Sequence, residues 1–301
     1  MKSVVTAKGA IYAFSMIAIA IWAMSYLWSN RLVMDLQIPV EFIVCVRSIV
    51  AGVLLFLFNI VIRQSIRIRK KDLGWFIGLA LCEPAVYFLL ETYGIKFTSS
   101  PTYSALVVAT SPIFSCTAGI VFFKEKITRM NILGIIICIL GLVLVILNGD
   151  KDKGTYFILG MSLLLLAVIV EVGYAIFTKK LSEIYSSSVI TMYQFLIGGL
   201  LLAPLAYFRT APVFDAAHYF SWEVWKPLLC LSVLCSCIAF TMWAAAIKYL
   251  GVAKASVFVA MIPVFTAIFG VITGTEVLTI IQWMGICIAF SGLILTQRSK
   301  G

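Results

Sequence analysis

Residues 112–141 read PIFSCTAGIVFFKEKITRMNILGIIICILG, and residues 263–292 read PVFTAIFGVITGTEVLTIIQWMGICIAFSG. Aligned without a gap, Pro112, Glu125, Gly134 and Gly141 fall on Pro263, Glu276, Gly285 and Gly292, each pair 151 positions apart. Matches at one fixed spacing in apolar sequence mark an internal repeat. Repeated halves in a membrane chain are the usual sequence trace of a transporter whose site lies between the halves.

The match extends outward from this stretch. Ile95-Lys96-Phe97 resembles Ile247-Lys248-Tyr249, now 152 positions apart. Arg47-x4-Gly52 stands where Gln194-x4-Gly199 stands, and Trp22 to Arg31 runs parallel, more weakly, to Glu171 to Lys180. The halves are therefore residues 8–148 and 155–297.

Of the 301 residues, 62% are hydrophobic, and mean hydropathy is +1.09. Apolar runs long enough to cross a bilayer recur from end to end. Ten are read, at 8–30, 39–62, 73–95, 101–123, 129–148, 155–178, 187–208, 225–248, 254–273 and 279–297. The first is too long for a signal-peptide core and is expected to be a retained helix. The expected fold is all-α: a polytopic membrane protein with ten transmembrane helices in two five-helix repeats.

The net charge of +10 suggests a nucleic-acid partner until the charges are placed. With the N-terminus inside, 16 of the 23 Lys and Arg fall on inner segments and 6 on outer ones, Arg47 lying within a span. This asymmetry puts both termini in the cytoplasm, expected here to be that of a bacterium with the chain in its inner membrane. The basic loops are topology determinants beside anionic lipid, not a nucleic-acid surface. Five spans per half require the second half to enter the membrane inverted. Lys124, Lys126 and Arg129 agree, because their repeat partners Thr275, Val277 and Ile280 carry no charge.

All eight cysteines lie inside spans, which argues against a disulfide framework. The single histidine, His218, is in a loop, so a metal site is not expected, and no cofactor is implied. Gly134 and Gly141, like Gly285 and Gly292, are seven residues apart, on one face of a close-packing helix. Glu125 and Glu276 are read as carboxylates near helix starts.

Pro112 and Pro263 lie roughly 14–17 Å into their spans at 1.5 Å per residue. Prolines at matched mid-span positions free a carbonyl and kink the chain, and with Pro84 they are candidate hinges. Arg47, Glu83, Glu91 and Glu171 are charges within spans, where charge is costly and marks function or pairing. Counted from the outer face, Glu91 is roughly 6 Å deep, Arg47 roughly 12 Å and Glu83 roughly 18 Å. Arg47 is thus expected to reach a glutamate, either as a structural ion pair or to share a zwitterion's carboxylate and amine with Glu83. Glu83, Tyr87 and Glu91 share one helix face at i, i+4 and i+8. Glu171 has no evident partner and is a candidate carrier of a coupling proton. Trp22, Tyr26, Tyr103, Tyr174, Tyr193 and Trp243 are aromatics within spans, and Trp22, Tyr103, Tyr174 and Trp243 join the site candidates with Ser25 and Ser111. Gln194 is a further polar candidate.

The chain resembles the EamA branch of the drug/metabolite transporter superfamily. The resemblance rests on Trp22-Ala-Met-Ser-Tyr, on Arg47-Ser-Ile-Val-Ala-Gly and on Pro112-x12-Glu125-x8-Gly134-x6-Gly141 with its repeat, over essentially the whole length. It implies a central cavity between the halves, lined mainly by spans one, three and four and by six, eight and nine, and no enzymatic activity. Glu83-Pro84 with Glu91 lies outside the generic pattern and is a candidate substrate determinant.

The reading is a secondary transporter that exports or exchanges a small metabolite, an amino acid or related amphipathic compound, by alternating access. No Walker motif is present, so ATP is not the direct driver. Proton-coupled efflux of hydrophobic cations is the alternative, favoured by a free Glu171. Exchange of organic anions, of sugar-phosphate or nucleotide-sugar type, needs several deep cations, and only Arg47 is deep. A membrane-embedded enzyme needs a polar catalytic cluster that the spans lack. The expected partners are the substrate, membrane lipid and protons, with the chain a monomer or homodimer.

Overall fold

The computed structural model describes residues 2–124, 128–147, 156–274 and 279–298, and every regular element among them is helical. α1 spans Lys2–Asn30 and runs on as a π-helical turn over Arg31–Asp35. α2 is Val40–Val61, α3 Lys70–Thr98, α4 Pro101–Phe123 and α5 Arg129–Leu147. α6 is Phe157–Ser182, α7 Ser187–Thr210, α8 Trp222–Leu250, α9 Val252–Ile272 and α10 Ile280–Arg298. Helices dominate because apolar segments in lipid must satisfy their own backbone groups. Leu57, Phe58, Val61, Phe122, Leu200 and Phe208 stand exposed on the outside, as a lipid-facing surface requires.

Eight of the ten helices are long and apolar enough to cross a membrane; α5 and α10 contribute the shorter apolar stretches Arg129–Gly141 and Trp283–Gly292. Of the ten expected crossings, eight are thus helices of membrane-spanning length, while α5 and α10 are helical with only shorter apolar stretches among the described residues. Both shorter helices border residues outside the described set, at 125–127 and 148–155 beside α5, and at 275–278 and 299–301 beside α10. Glu125 and Glu276 lie there, and so does the boundary expected between the halves.

Packing follows the repeat. α2 packs on its sequence counterpart α7, α4 on α9, and α5 on α10. α1 packs on α8, and their counterparts α6 and α3 pack on each other. Exchanging the two halves therefore carries these pairings into one another. The α2–α7 crossing has the same property at atomic scale. A Cβ at Gly52 would stand 2.8 Å from the Leu196 amide nitrogen, and one at Gly199 would stand 3.1 Å from that of Ile49. Ile49 and Leu196 are themselves repeat counterparts, so each glycine admits the other half's backbone at the equivalent point. Gly134, Gly141, Gly285 and Gly292 are buried, while Leu133, Ile136, Leu140 and Met284 are exposed.

Regular helix fails at matched places. α4 breaks at Ala109-Thr110 and restarts with Pro112 in its first turn. α9 tightens to a 3-10 stretch over Val257–Met261 and restarts with Pro263 in its first turn. α3 widens to a π-helix over Leu81–Val86, where Glu83 leaves helical geometry (φ −149°, ψ 121°) just before Pro84. Its counterpart α8 widens over Cys230–Ala239, without a proline. A π-segment lets a helix turn side chains out of register, and such segments frequently occur at functional sites. All these breaks face the middle of the bundle, where the polar residues gather.

Candidate functional site

One cavity collects most of the intramembrane charge. α1 supplies Trp22, Ser25 and Tyr26, α2 supplies Arg47, and α3 supplies Glu83, Tyr87, Phe88 and Glu91. From the second half come Glu171 and Tyr174 on α6 and Phe240 and Trp243 on α8. Val108 and Ile262 close the wall from α4 and α9. The cavity volume is about 30 Å³, room for one or two water molecules. A small-metabolite site needs about 300 Å³ or more, so the cavity as it stands is too small for one. A larger recess of about 660 Å³ opens where α1 ends, lined in part by Trp28, Arg31, Asp35, Ser99 and Glu223.

Arg47 is 3% exposed, and its Nε donates to Ser236 Oγ at 3.2 Å. The guanidinium carbon lies over the Phe88 ring, 3.9 Å from its centroid, a cation–π contact. It makes no ion pair among the described residues. The pairing with a glutamate expected from depth alone is therefore not formed. Glu91 instead turns its Oε1 to two phenols, accepting from Tyr26 Oη at 2.8 Å and Tyr87 Oη at 2.9 Å. Glu83, 3% exposed, accepts no hydrogen bond among the described residues. Trp22 Nε1, Glu171 Oε2 and Tyr174 Oη are buried without hydrogen-bond partners among the described residues. Buried polar atoms are nearly always paired, so a group of orphans facing one cavity is an unfilled demand for ligand or water.

The walls differ in character. Trp22 packs on Phe240 and Trp243 with ring centroids 4.8 and 5.3 Å away, and Phe240 also meets Phe88 at 5.7 Å. Glu83, Glu91 and Glu171 lie on α3 and α6. The repeat offsets relate the two walls: Trp22 corresponds to Glu171, and Glu91 to Trp243. Each half thus contributes one tryptophan and one carboxylate in exchanged places, which makes an aromatic wall face an acidic one.

Nine of the sequence-selected residues line this cavity: Trp22, Ser25, Arg47, Glu83, Tyr87, Glu91, Glu171, Tyr174 and Trp243. Two do not. Tyr103 sits at the start of α4 against Phe157, ring centroids 5.6 Å apart. Ser111 is fully buried behind the wall, its hydroxyl close enough to act on Glu171 but without a hydrogen bond of good geometry. Tyr26, Phe88, Phe240 and Ser236 escaped the sequence selection of site residues. Tyr26 follows Trp22 by four residues on one helix face, and Phe88 and Phe240 are repeat counterparts, so both were legible. Ser236 was not, because a π-helix sets its direction. Outside the cavity, Glu41 accepts from Tyr93 Oη and Arg209 Nε, joining the halves near one membrane face. His218 Nε2 lies 2.9 Å from the Leu36 carbonyl oxygen.

Residues 7–147 and 158–298 each match the family described as the EamA-like transporter family. The uncharacterized transporter YetK of Bacillus subtilis is 23% identical over 272 residues, covering 88% of this chain and 80% of the relative. An uncharacterized transporter of Archaeoglobus fulgidus is 26% identical, covering 74% and 75%. The probable terminal-alkyne amino-acid exporter of Streptantibioticus cattleyicolor is 26% identical over 240 residues, covering 77% and 75%. A solved crystal structure superposes with a TM-score of 0.77 at 15% identity, covering 95% of this chain and 96% of the other, a likeness of fold.

Proposed function

This chain belongs to the EamA-like transporter family, and we propose that it is a secondary transporter of the bacterial inner membrane for amino acids or related amphipathic compounds. It exports or exchanges them by alternating access. The halves, residues 8–148 and 155–297, are inverted five-span repeats with both termini in the cytoplasm. The placement of positive charge supports the orientation, and the exchange symmetry of helix pairings supports the inversion.

The observation that carries the substrate class is the unpaired charge in the cavity. A zwitterion needs a cation for its carboxylate and an anion for its ammonium. Arg47 keeps its Nη groups without a partner among the described residues, and Trp22 Nε1 is a second free donor. Glu83, which accepts no hydrogen bond among the described residues, offers a free carboxylate in the same cavity. The Trp22–Phe240–Trp243 wall suits an apolar body. One relative named as an amino-acid exporter fits this reading. Pro84, Pro112 and Pro263 are the hinges about which broken helices bend as the cavity widens to admit substrate.

Proton-coupled efflux of hydrophobic cations is a second reading, favoured by Glu171 Oε2 having no partner and Arg47 no ion pair among the described residues. Organic-anion exchange is disfavoured, since Arg47 is the only cationic side chain lining the cavity among the described residues. Counterflow separates the readings. Proteoliposomes loaded with phenylalanine are offered labelled phenylalanine, phenethylamine or 3-phenylpropionate, which share a body and differ in charge. Preference for phenylalanine supports the zwitterion reading; equal or better transport of phenethylamine supports cation efflux and removes the role of Arg47 in substrate binding.

A further inference from the structure

The zwitterion reading leaves one cavity carboxylate with neither a counter-charge nor a hydrogen-bonded partner for its buried oxygen among the described residues. An amino acid brings one carboxylate and one ammonium. Arg47 answers the first and Glu83 the second. Glu91 is already held by two phenols, at 2.8 and 2.9 Å. Glu171 remains, its Oε2 buried and unpartnered.

The cavity around Glu171 holds two further carboxylates, three phenols and one cation, Arg47. α3 presents Glu83, Tyr87 and Glu91, α1 presents Tyr26, and α6 itself presents Tyr174. The Ser111 hydroxyl approaches from α4. α8 and α9 contribute Phe240, Trp243 and Ile262, which do not ionise. Arg47, on α2, lines the same cavity but makes no ion pair with Glu171. A carboxylate at membrane depth, facing other carboxylates and without an ion pair among the described residues, needs a counter-ion that fits a volume of about 30 Å³. A proton does.

We infer that Glu171 is the proton site of the transport cycle. One of its carboxylate oxygens holds the proton while the cavity is empty of substrate and contracted. The substrate ammonium, entering beside Glu83, brings a positive charge to the acidic wall and displaces that proton to the side from which substrate came. After the halves rock and substrate leaves, Glu171 is protonated from the other side. Substrate leaving the cell is thereby exchanged for protons entering it. This rests on the zwitterion reading, which places one ammonium and no more against the acidic wall.

The test uses the full chain in proteoliposomes and a labelled mixture of L-amino acids as probe, with pyranine inside to report protons. Two quantities are compared: counterflow at equal pH, and uptake when the interior is made acidic. For the unaltered protein, acid loading increases uptake, and adding amino acids lowers interior proton concentration. Glu171→Gln is expected to retain counterflow at a reduced rate, to lose the response to the gradient and to lose the pyranine signal. Glu171→Asp keeps the gradient response with its pH dependence displaced. A Glu171→Gln protein that responds to the gradient like the unaltered one overturns the inference. Counterflow abolished in both variants also overturns it, because Glu171 is then a binding or structural group. Counterflow by the unaltered protein with no gradient response overturns it while sparing the zwitterion reading. Absence of counterflow for every amino acid, with folded protein, removes that reading and the inference with it.

Discussion

Replacing Arg47 by Gln tests whether its guanidinium binds substrate or only holds helices together. The fold already accommodates glutamine at the equivalent place, since Gln194 is the repeat counterpart of Arg47 and is buried. What the folded protein loses can be read from Arg47's contacts. They are one hydrogen bond to Ser236, at 3.2 Å, and one stacking contact on Phe88, at 3.9 Å. The hydrogen bond is worth about 1.5–3 kcal/mol and the stacking about 0.5–2 kcal/mol. The relief of a buried charge that has no ion pair offsets part of both, so the net loss of stability is expected at about 1–3 kcal/mol. Substrate binding has more to lose. Truncating one partner of a buried charge pair costs about 2–5 kcal/mol, a loss of affinity of about 30-fold to a few thousand-fold. The assay is the half-saturating concentration for phenylalanine in counterflow, with melting temperature in detergent measured on the same preparation. Phenethylamine, which has no carboxylate, serves as the internal control and should lose affinity by less than about threefold, under 1 kcal/mol. Unchanged affinity for phenylalanine together with a lowered melting temperature would refute the reasoning and make Arg47 a structural residue.

Ser236→Ala removes the bond that aims the guanidinium, and we expect phenylalanine affinity to fall by about fivefold, a shift of about 1 kcal/mol, with little change for phenethylamine in the same counterflow assay. Tyr26→Phe deprives Glu91 of one of its two donors and should lower stability by about 1–3 kcal/mol, read as a lower melting temperature. Gly52→Ala forces a methyl to within 2.8 Å of the Leu196 amide nitrogen and should cost about 1–3 kcal/mol, whereas Gly74→Ala, with nothing within 4 Å of the added methyl, should leave the melting temperature near that of the unaltered protein.

Much of this fold was legible because lipid imposes simple rules. Apolar runs gave the helices within a few residues, as the run read at 101–123 shows against α4, Pro101–Phe123. The repeat located the sites of broken helix at Pro112 and Pro263, and at Pro84 a lone proline did the same. It did not locate the π-segment Cys230–Ala239, which has no proline and is sustained by packing against α1 and α2. The buried charges were identifiable one by one, since each is expensive in a span. Their pairing was not. Depth placed Arg47 near two glutamates, but the direction of each side chain depends on π-helical register and on which aromatic ring lies beside it. Arg47 turned to Phe88 and Ser236, and Glu91 to two tyrosines. Tyr103 failed to reach the cavity because it lies in the first turn of α4, where its ring packs on Phe157, and it is Val108 near the end of that segment that joins the wall.

The central claim is that substrate crosses through the cavity on which Glu83 opens. Counterflow of labelled amino acids in proteoliposomes bearing Glu83→Gln or Glu125→Gln, at matched folded yield, tests it most directly. Glu83 lines the cavity, and Glu125 is a carboxylate read from the sequence as standing near a helix start. The account predicts that Glu83→Gln loses about tenfold or more of the counterflow rate, in keeping with a lost charged contact of about 1.5–3 kcal/mol, while Glu125→Gln stays near the unaltered protein. Equal losses from the two substitutions would contradict it.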